Sequence, residues 1–312
     1  MFFRNLTLFR FPEATAAHLR KLAATTIDGS FLQDELAACA LKPVGPLELS
    51  SRGFVSPFGR DSDALFHTSG PSIWITVGGE DRMLPAAVVN DLLAKKLAEI
   101  EAREGRRPGG RTRKRLKDEL ITELLPRAFV KPSRTDALLD LEHGFVAVDT
   151  SSRKTGEGVA SEIRRALGSF PALPLNAEVA PRSVLTGWIA GEPLPEGLSL
   201  GDECELSDPV DGGAKVRCTR QELHGDEIGK HLEAGKQASR LALNLDDHIS
   251  FVLGEDLTVR KLKFLDGAVD QLESIERDDL RAELDARFAL MSGELRRLFV
   301  VLQGAFRISA AE

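Results

Sequence analysis

The chain predicts an α+β protein, with antiparallel sheets, flanking helices and a helical-hairpin arm, on three observations. Two apolar stripes, Val88, Val89, Leu92, Leu93, Leu97, Ile100 and then Leu116, Leu120, Ile121, Leu124, Leu125, recur at helical spacing. Between them lies Gly105-Arg106-Arg107-Pro108-Gly109-Gly110, too rich in Gly and Pro to stay helical. Strand-like runs flank this hairpin on both sides, and a second series of strands and helices follows Pro171–Pro174. An αβ unit interrupted by an arm, then a second α+β unit, is the expected organisation.

Residues 2–11 alternate loosely and read as the first strand. Arg4 and Arg10 stand where a signal peptide would need its apolar core. Residues 14–24 and 31–41 read as helices, and 53–60 as an irregular stretch. The run 73–77, Ile-Trp-Ile-Thr-Val, is a strand expected to turn at Gly78-Gly79. Pro85 suits the start of the first arm helix and Pro126 ends the second. Segments 137–141 and 145–149 form a hairpin around Glu142-His143-Gly144. A helix over 157–167 is closed by Gly168.

In the second unit, Lys215, Arg217 and Thr219 share one face of a strand over 214–220. A helix over 226–234 carries Asp226 and Glu227 in its first turn, as the dipole prefers, and stops at Gly235. Leu241, Leu243 and Leu245 alternate as a strand. Residues 249–253 pair with 257–265, where Leu262 and Phe264 oppose Lys261 and Lys263. Residues 275–306 read as one long helix or two.

At 312 residues the chain exceeds a typical single domain, and 42% hydrophobic with 29% charged residues is ordinary for a globular protein. No apolar run reaches the roughly 18 residues that would mark a membrane span. Cys39, Cys204 and Cys218 are odd in number and lack CxxC spacing. A disulfide framework and a Cys-ligated zinc site are therefore not expected, and a reducing cytoplasm fits.

Charge is the most informative property. The formal net charge is −7, yet between Lys95 and Lys117 ten Lys or Arg face three Glu. Between Asp266 and Arg287 eight acids face three Arg. Such polarity would focus a polyanion onto one region, although a charge run is as often a solvated face. Arg106, Arg107, Arg111, Arg113, Lys114, Arg115 and Lys117 could neutralise phosphates and release counterions. Arg127 and Phe129 follow the second arm helix. Phe129 could stack on or wedge between bases, but packing the root of the arm into the core is the more ordinary role. Arg220 with Gln221, Lys230 with Lys236, and Lys261 with Lys263 form a candidate second patch.

No catalytic motif stands against this. Walker A, GxGxxG and HExxH spacings are absent, and the six His are scattered. Asp61 with Asp63, and Asp246-Asp247 before His248, could be imagined as metal ligands of a nuclease. Asp-rich turns are more often hydrogen-bonded turns. An adaptor whose arm docks an acidic partner is a third reading.

The chain resembles the RdgC family of recombination-associated, nucleoid-associated DNA-binding proteins over nearly its full length. The residues that carry the resemblance are Phe3-Arg4-Asn5-Leu6, Asp61-Ser62-Asp63-Ala64-Leu65, Lys117-Asp118-Glu119 and Leu124-Leu125-Pro126-Arg127-Ala128-Phe129. Further on come Leu167-Gly168-Ser169, Glu233-Ala234-Gly235-Lys236, Leu241-Ala242-Leu243, Leu262-Lys263-Phe264 and Met291-Ser292-Gly293-Glu294-Leu295. The resemblance implies a homodimer closed into a ring around duplex DNA, its hole lined by basic residues, with subunit contacts at both ends. It implies a centre domain (1–83 plus 127–173), a tip (84–126) and a base (174–312). It also implies cytoplasmic, nucleoid-associated binding to double- and single-stranded DNA without sequence preference, restraint of RecA, and no cofactor. A part in supporting replication belongs to the same implication. Arg127, Phe129, Gln221 and Lys236 become DNA-contact candidates by motif. The loop 106–111 is longer and richer in Arg than the family's usual tip.

Overall fold

The computed structural model describes residues 2–24, 30–210, 213–269 and 280–311. The chain forms two compact units, one of residues 1–38, 56–76 and 135–312, the other of 39–55 and 77–134. Strands β4 (Ser72–Met83) and β5 (Phe129–Asp140) run from one unit into the other.

In the larger unit, β1 (Thr7–Arg10) lies between β6 (Phe145–Val148) and the two-residue β7 (Leu173–Pro174), antiparallel to both. β6 pairs with the end of β5 from Ala137↔Val148 to Asp140↔Phe145, and β3 (Phe66–Ser69) pairs with the start of β4. Helices α1 (Glu13–Ala23), α2 (Phe31–Ala38) and α5 (Arg153–Leu167) flank these strands. α5 starts four residues earlier than its apolar pattern predicts, because Ser152 caps it by accepting from the Thr155 N–H at 3.3 Å.

The same unit holds a five-stranded antiparallel sheet in the order β12 (Val259–Phe264), β11 (Ile249–Gly254), β10 (Gln237–Leu245), β8 (Leu198–Ser207), β9 (Lys215–Thr219). Register places Leu241 opposite Leu253 and Cys204, and Leu243 opposite Phe251. Alternation therefore turns one apolar face inward, where it shares a single core with α6 (Pro181–Ile189) and α9 (Leu280–Phe306). Short helices α7 (Asp226–Glu233) and α8 (Asp266–Val269) complete the unit. Within the core Phe145 stacks on Phe299 and Trp74 on Phe288. The start of the chain joins this sheet, since Leu6 and Val259 exchange backbone hydrogen bonds of 2.8 and 3.0 Å. Cys204 lies opposite Cys218; both thiols are free, and burial pushes that of Cys204 up to about 12.

The stripe predicted for 275–306 runs through the described α9, where Phe288, Met291, Leu295, Leu298, Phe299 and Phe306 are buried. Its first residues, 275–279, lie outside the described residues, as do Asp270, Glu273, Glu276, Asp278 and Asp279 of the acidic run.

The smaller unit contains β2 (Ser50–Val55), the second half of β4, and the hairpin of α3 (Ala86–Glu104) and α4 (Gly110–Leu124). Three expectations change here. β4 passes straight through Gly78-Gly79 rather than turning, because these glycines serve close approach: a Cβ on Gly78 would sit 2.7 Å from Val55 Cγ1, and one on Gly79 2.8 Å from Ser133 Oγ. β2 takes in residues 53–55 of the stretch expected to be irregular, whereas 56–60, with Pro57, form neither strand nor helix. β5 begins at Phe129, eight residues before its apolar part, because six exposed residues with Pro132 among them read as a loop. In the larger unit α2 ends at Ala38, short of the expected residue 41.

Candidate nucleic-acid interface

The hairpin is built as its stripes predict. Val89, Leu93, Leu120 and Leu125 are buried, while Val88, placed on the stripe by spacing, is 46% exposed. α3 ends on Gly105 in the left-handed region (φ 69°), whose N–H donates to Glu101 at 2.9 Å. α4 starts at Gly110 without a side-chain cap, and a 3-10 turn, Leu125–Arg127, ends it at Pro126.

Around the tip the cations divide into two sets. Lys95 pairs with Asp91 (2.8 Å), Lys96 with Glu123 across the hairpin (3.2 Å), Arg103 with Glu104 (3.3 Å) and Arg115 with Glu119 (3.4 Å). Arg106, Arg107, Arg111, Arg113, Lys114 and Lys117 have no acidic partner among the described residues. Arg111, Lys114 and Arg115 share one stripe of α4 with Asp118, Glu119 and Glu123, so the stripe is cationic near the tip and acidic near the root. This order runs against the helix dipole, which disfavours each cation in the first turn by about 0.3–1 kcal/mol. The first turn of α4 contains no acid to offset it. Helix stability therefore does not account for Arg111 and Arg113.

At the root, Arg127 is exposed and Phe129 is 85% exposed, so Phe129 does not pack the arm into a core. The position of this exit is fixed by Arg82, which reading by composition passes over. Its Nη1 donates to the carbonyls of Leu125 (2.9 Å) and Ala128 (3.4 Å), and its Nε to Gly45 (3.2 Å). A lone Arg at the end of a strand carries no local signal of that role.

The second patch lies on the outward face of the five-stranded sheet. Arg220, Lys261 and Lys263 line one cleft of about 510 Å³, together with Asp202 and Glu203. Lys261 sits in the left-handed region (φ 53°) at a register shift in the β11–β12 ladder, which keeps it and Lys263 both exposed. Lys261 Nζ donates to Glu203 at 2.5 Å, whereas Lys263 and Arg220 have no ionic partner among the described residues. Gln221 is held by Glu227 of α7 (2.6 Å). Lys230 is exposed on α7 and Lys236 is half-buried just beyond it. The structure also shows cations on this face that were not singled out as candidates: Arg217, and Lys215 with Arg240 beside Glu205. The alternation Glu203-Cys204-Glu205-Leu206 is the signal that could have revealed them.

Asp61 and Asp63 are exposed. Asp246 and Asp247 occupy the left-handed turn between β10 and β11, where Asp246 takes Arg297 as its ionic partner. Among the described residues no cluster of His, Cys, Asp and Glu is arranged to hold a metal ion, and no helix is long and apolar enough to cross a membrane.

Fold and charge together define an α+β protein that carries a cationic helical hairpin and a charged, open sheet face. Residues 1–309 match a family model described as "Putative exonuclease, RdgC". Proteins called recombination-associated protein RdgC from Xanthomonas campestris pv. campestris (strain B100) and Xanthomonas axonopodis pv. citri (strain 306) are each 69% identical, over the full length of both chains. That of Stenotrophomonas maltophilia (strain R551-3) is 65% identical over the same extent. The chain belongs to the RdgC family of recombination-associated proteins.

Proposed function

We propose that this protein is a non-catalytic, sequence-independent DNA-binding protein that encircles duplex DNA as a homodimer and limits RecA-dependent recombination. The observation that carries the reading is the set of six cations at the hairpin tip without an acidic partner among the described residues, of which Arg111 and Arg113 stand in the first turn of α4 against the helix dipole. Charges that neither pair nor stabilise their helix are available to phosphates. Binding through phosphates is blind to sequence and open to single as well as double strands. The exposed Arg127 and Phe129 add a guanidinium and a ring able to stack on bases. We assign Gln221, Lys230 and Lys236 with Arg220, Lys261 and Lys263 to the base, 174–312, and the arm to the tip, 84–126, of a subunit whose centre is 1–83 plus 127–173.

A homodimer is favoured by where apolar surface is left open. Among the described residues, six of the ten large exposed hydrophobics, Leu47, Leu49, Met83, Val88, Phe129 and Val130, fall in the smaller unit. Apolar surface concentrated in this way marks an interaction site. A closed dimer would obstruct a RecA filament sterically, in the cytoplasm and on the nucleoid, with no membrane and no cofactor involved. The same obstruction would let it act beside replication.

The competing reading is a metal-dependent nuclease; the family description carries the word exonuclease and names no metal. Labelled duplex and single-stranded DNA incubated with the protein and Mg²⁺ or Mn²⁺ should be bound and returned intact. Metal-dependent cleavage that vanishes in Asp61→Ala or Asp63→Ala would overturn the non-catalytic reading.

A further inference from the structure

Two glutamates on the outward face of the five-stranded sheet already occupy phosphate-like positions. Glu203 projects from β8, which β9 flanks on one side, while β12 lies beyond β10 and β11 on the other. Glu203 Oε1 takes Arg217 Nη2 of β9 at 2.7 Å, and its Oε2 takes Lys261 Nζ of β12 at 2.5 Å. The side chain is only 17% exposed, so each oxygen is committed to one cation. Glu205, two residues on, bridges Lys215 (3.6 Å) and Arg240 (3.5 Å) in the same manner. Burial alone would push both carboxyls up. For Glu203 the hydrogen bonds from Lys261 and Arg217 outweigh it, and for Glu205 those from Ser239 and Lys215 do so together with the charge of Arg240. Both are held below the usual carboxylate range.

The rest of the cleft is unlike this. Arg220 and Lys263 line it with no ionic partner among the described residues, and Ala242 and Gly201 leave its floor low. One cleft thus contains cations open to a phosphate and a cation already neutralised by the protein itself.

We propose that Glu203 is a built-in competitor for nucleic-acid phosphate. It holds Arg217 and Lys261 in reserve and so sets how tightly the sheet face grips the backbone. The inference rests on the DNA-binding reading above and goes beyond it by assigning a regulatory role to an acid. A phosphate oxygen carries the same charge and accepts the same donors as a carboxylate oxygen, so the two exchange for one another at a guanidinium or ammonium. While Glu203 keeps both cations, only Arg220 and Lys263 of this cleft add to counterion release. When it is neutralised, two more become available.

The test is a titration of a fluorescent duplex across a series of salt concentrations. Glu203→Gln keeps the shape of the side chain and removes its charge. It should bind roughly tenfold tighter at low salt, with a slope of log K against log salt steeper by about 2, the increment for two added phosphate contacts. Lys261→Gln should cost the wild type less than Lys263→Gln does, and should abolish much of the gain in the Glu203→Gln background. Arg220→Gln/Lys263→Gln should weaken both.

Glu203→Gln binding no tighter than wild type, while Arg220→Gln/Lys263→Gln weakens binding, overturns the inference and leaves the DNA-binding reading standing. Lys261→Gln weakening the wild type as much as Lys263→Gln overturns it equally, and does not depend on Glu203→Gln folding. Failure of every form to bind DNA overturns the underlying reading instead.

Discussion

Replacing Arg106, Arg107, Arg111, Arg113, Lys114 and Lys117 together with glutamine is expected to flatten the salt dependence of DNA binding by about 5 in the slope of log K against log salt. The figure follows from about 0.9 per duplex phosphate released from its counterions, over six cations. At near-physiological salt the loss should amount to several powers of ten in affinity, spread evenly over sequences, since no base edge is read. The folded arm should survive. These six side chains make no ion pair among the described residues, and removing cations from the first turn of α4 relieves an unfavourable dipole interaction. Circular dichroism should therefore show the helical content kept, with thermal stability unchanged or slightly raised. A control that replaces Lys95, Lys96, Arg103 and Arg115, the cations with acidic partners, should lose much less. If the control loses as much as the six, phosphate contact at the tip is not what binds DNA.

Asp140→Ala is expected to destabilise the protein by about 3–5 kcal/mol, the usual consequence of removing one partner from a buried ion pair. Asp140 is fully buried at the end of β5. One of its oxygens accepts from the backbone N–H groups of Glu142 (3.1 Å) and His143 (2.8 Å), which shapes the β5–β6 turn. The other accepts from Arg296 Nε of α9 at 2.9 Å. One carboxylate thus ties a hairpin to the longest helix, and its loss leaves a guanidinium and two N–H groups short of their acceptor. With total stabilities of about 5–15 kcal/mol, the change removes a large fraction of what holds the fold. Asp140→Asn keeps acceptor oxygen for the turn and should cost less. Chemical denaturation of the three forms measures the order: wild type, then Asn, then Ala. Ala equal to wild type would mean that this junction contributes nothing.

Neither Asp140 nor Arg296 stands out in the sequence, and the reason is general to this chain. What the residues announce is local. The two helices of the arm are legible because Val89, Leu93, Leu120 and Leu125 recur at helical spacing and Pro126 forbids continuation. The β5–β6 turn is legible from Glu142-His143-Gly144 between two apolar runs. What depends on partners distant in sequence is hidden. Gly78-Gly79 signals a turn by composition, and only the neighbouring side chains of Val55 and Ser133 show that the glycines make room inside a continuous strand. Phe129 looks like a core residue by type, yet it opens a strand whose first six residues are exposed.

The candidate interface divides along the same line. Its arm was visible as an excess of cations over a short stretch, since contiguous charge needs no fold to be counted. The sheet face was only half visible. Lys261 and Lys263 betray themselves by alternation, but the acid that neutralises one of them lies about sixty residues away on β8. Arg82 is hidden for the same reason, because the carbonyls it holds belong to the far end of the hairpin.

The central claim, that the protein acts by encirclement, is tested most directly by retention on circular against linear DNA of the same sequence. Complexes formed at low salt would be challenged with a large excess of competitor, and the protein remaining on labelled DNA followed over time. A closed homodimer should leave linear molecules by sliding off the ends, remain on covalently closed circles, and leave those circles when a single restriction cut is made. Equal loss from both forms would contradict encirclement and leave an open, surface-bound mode of phosphate binding in its place.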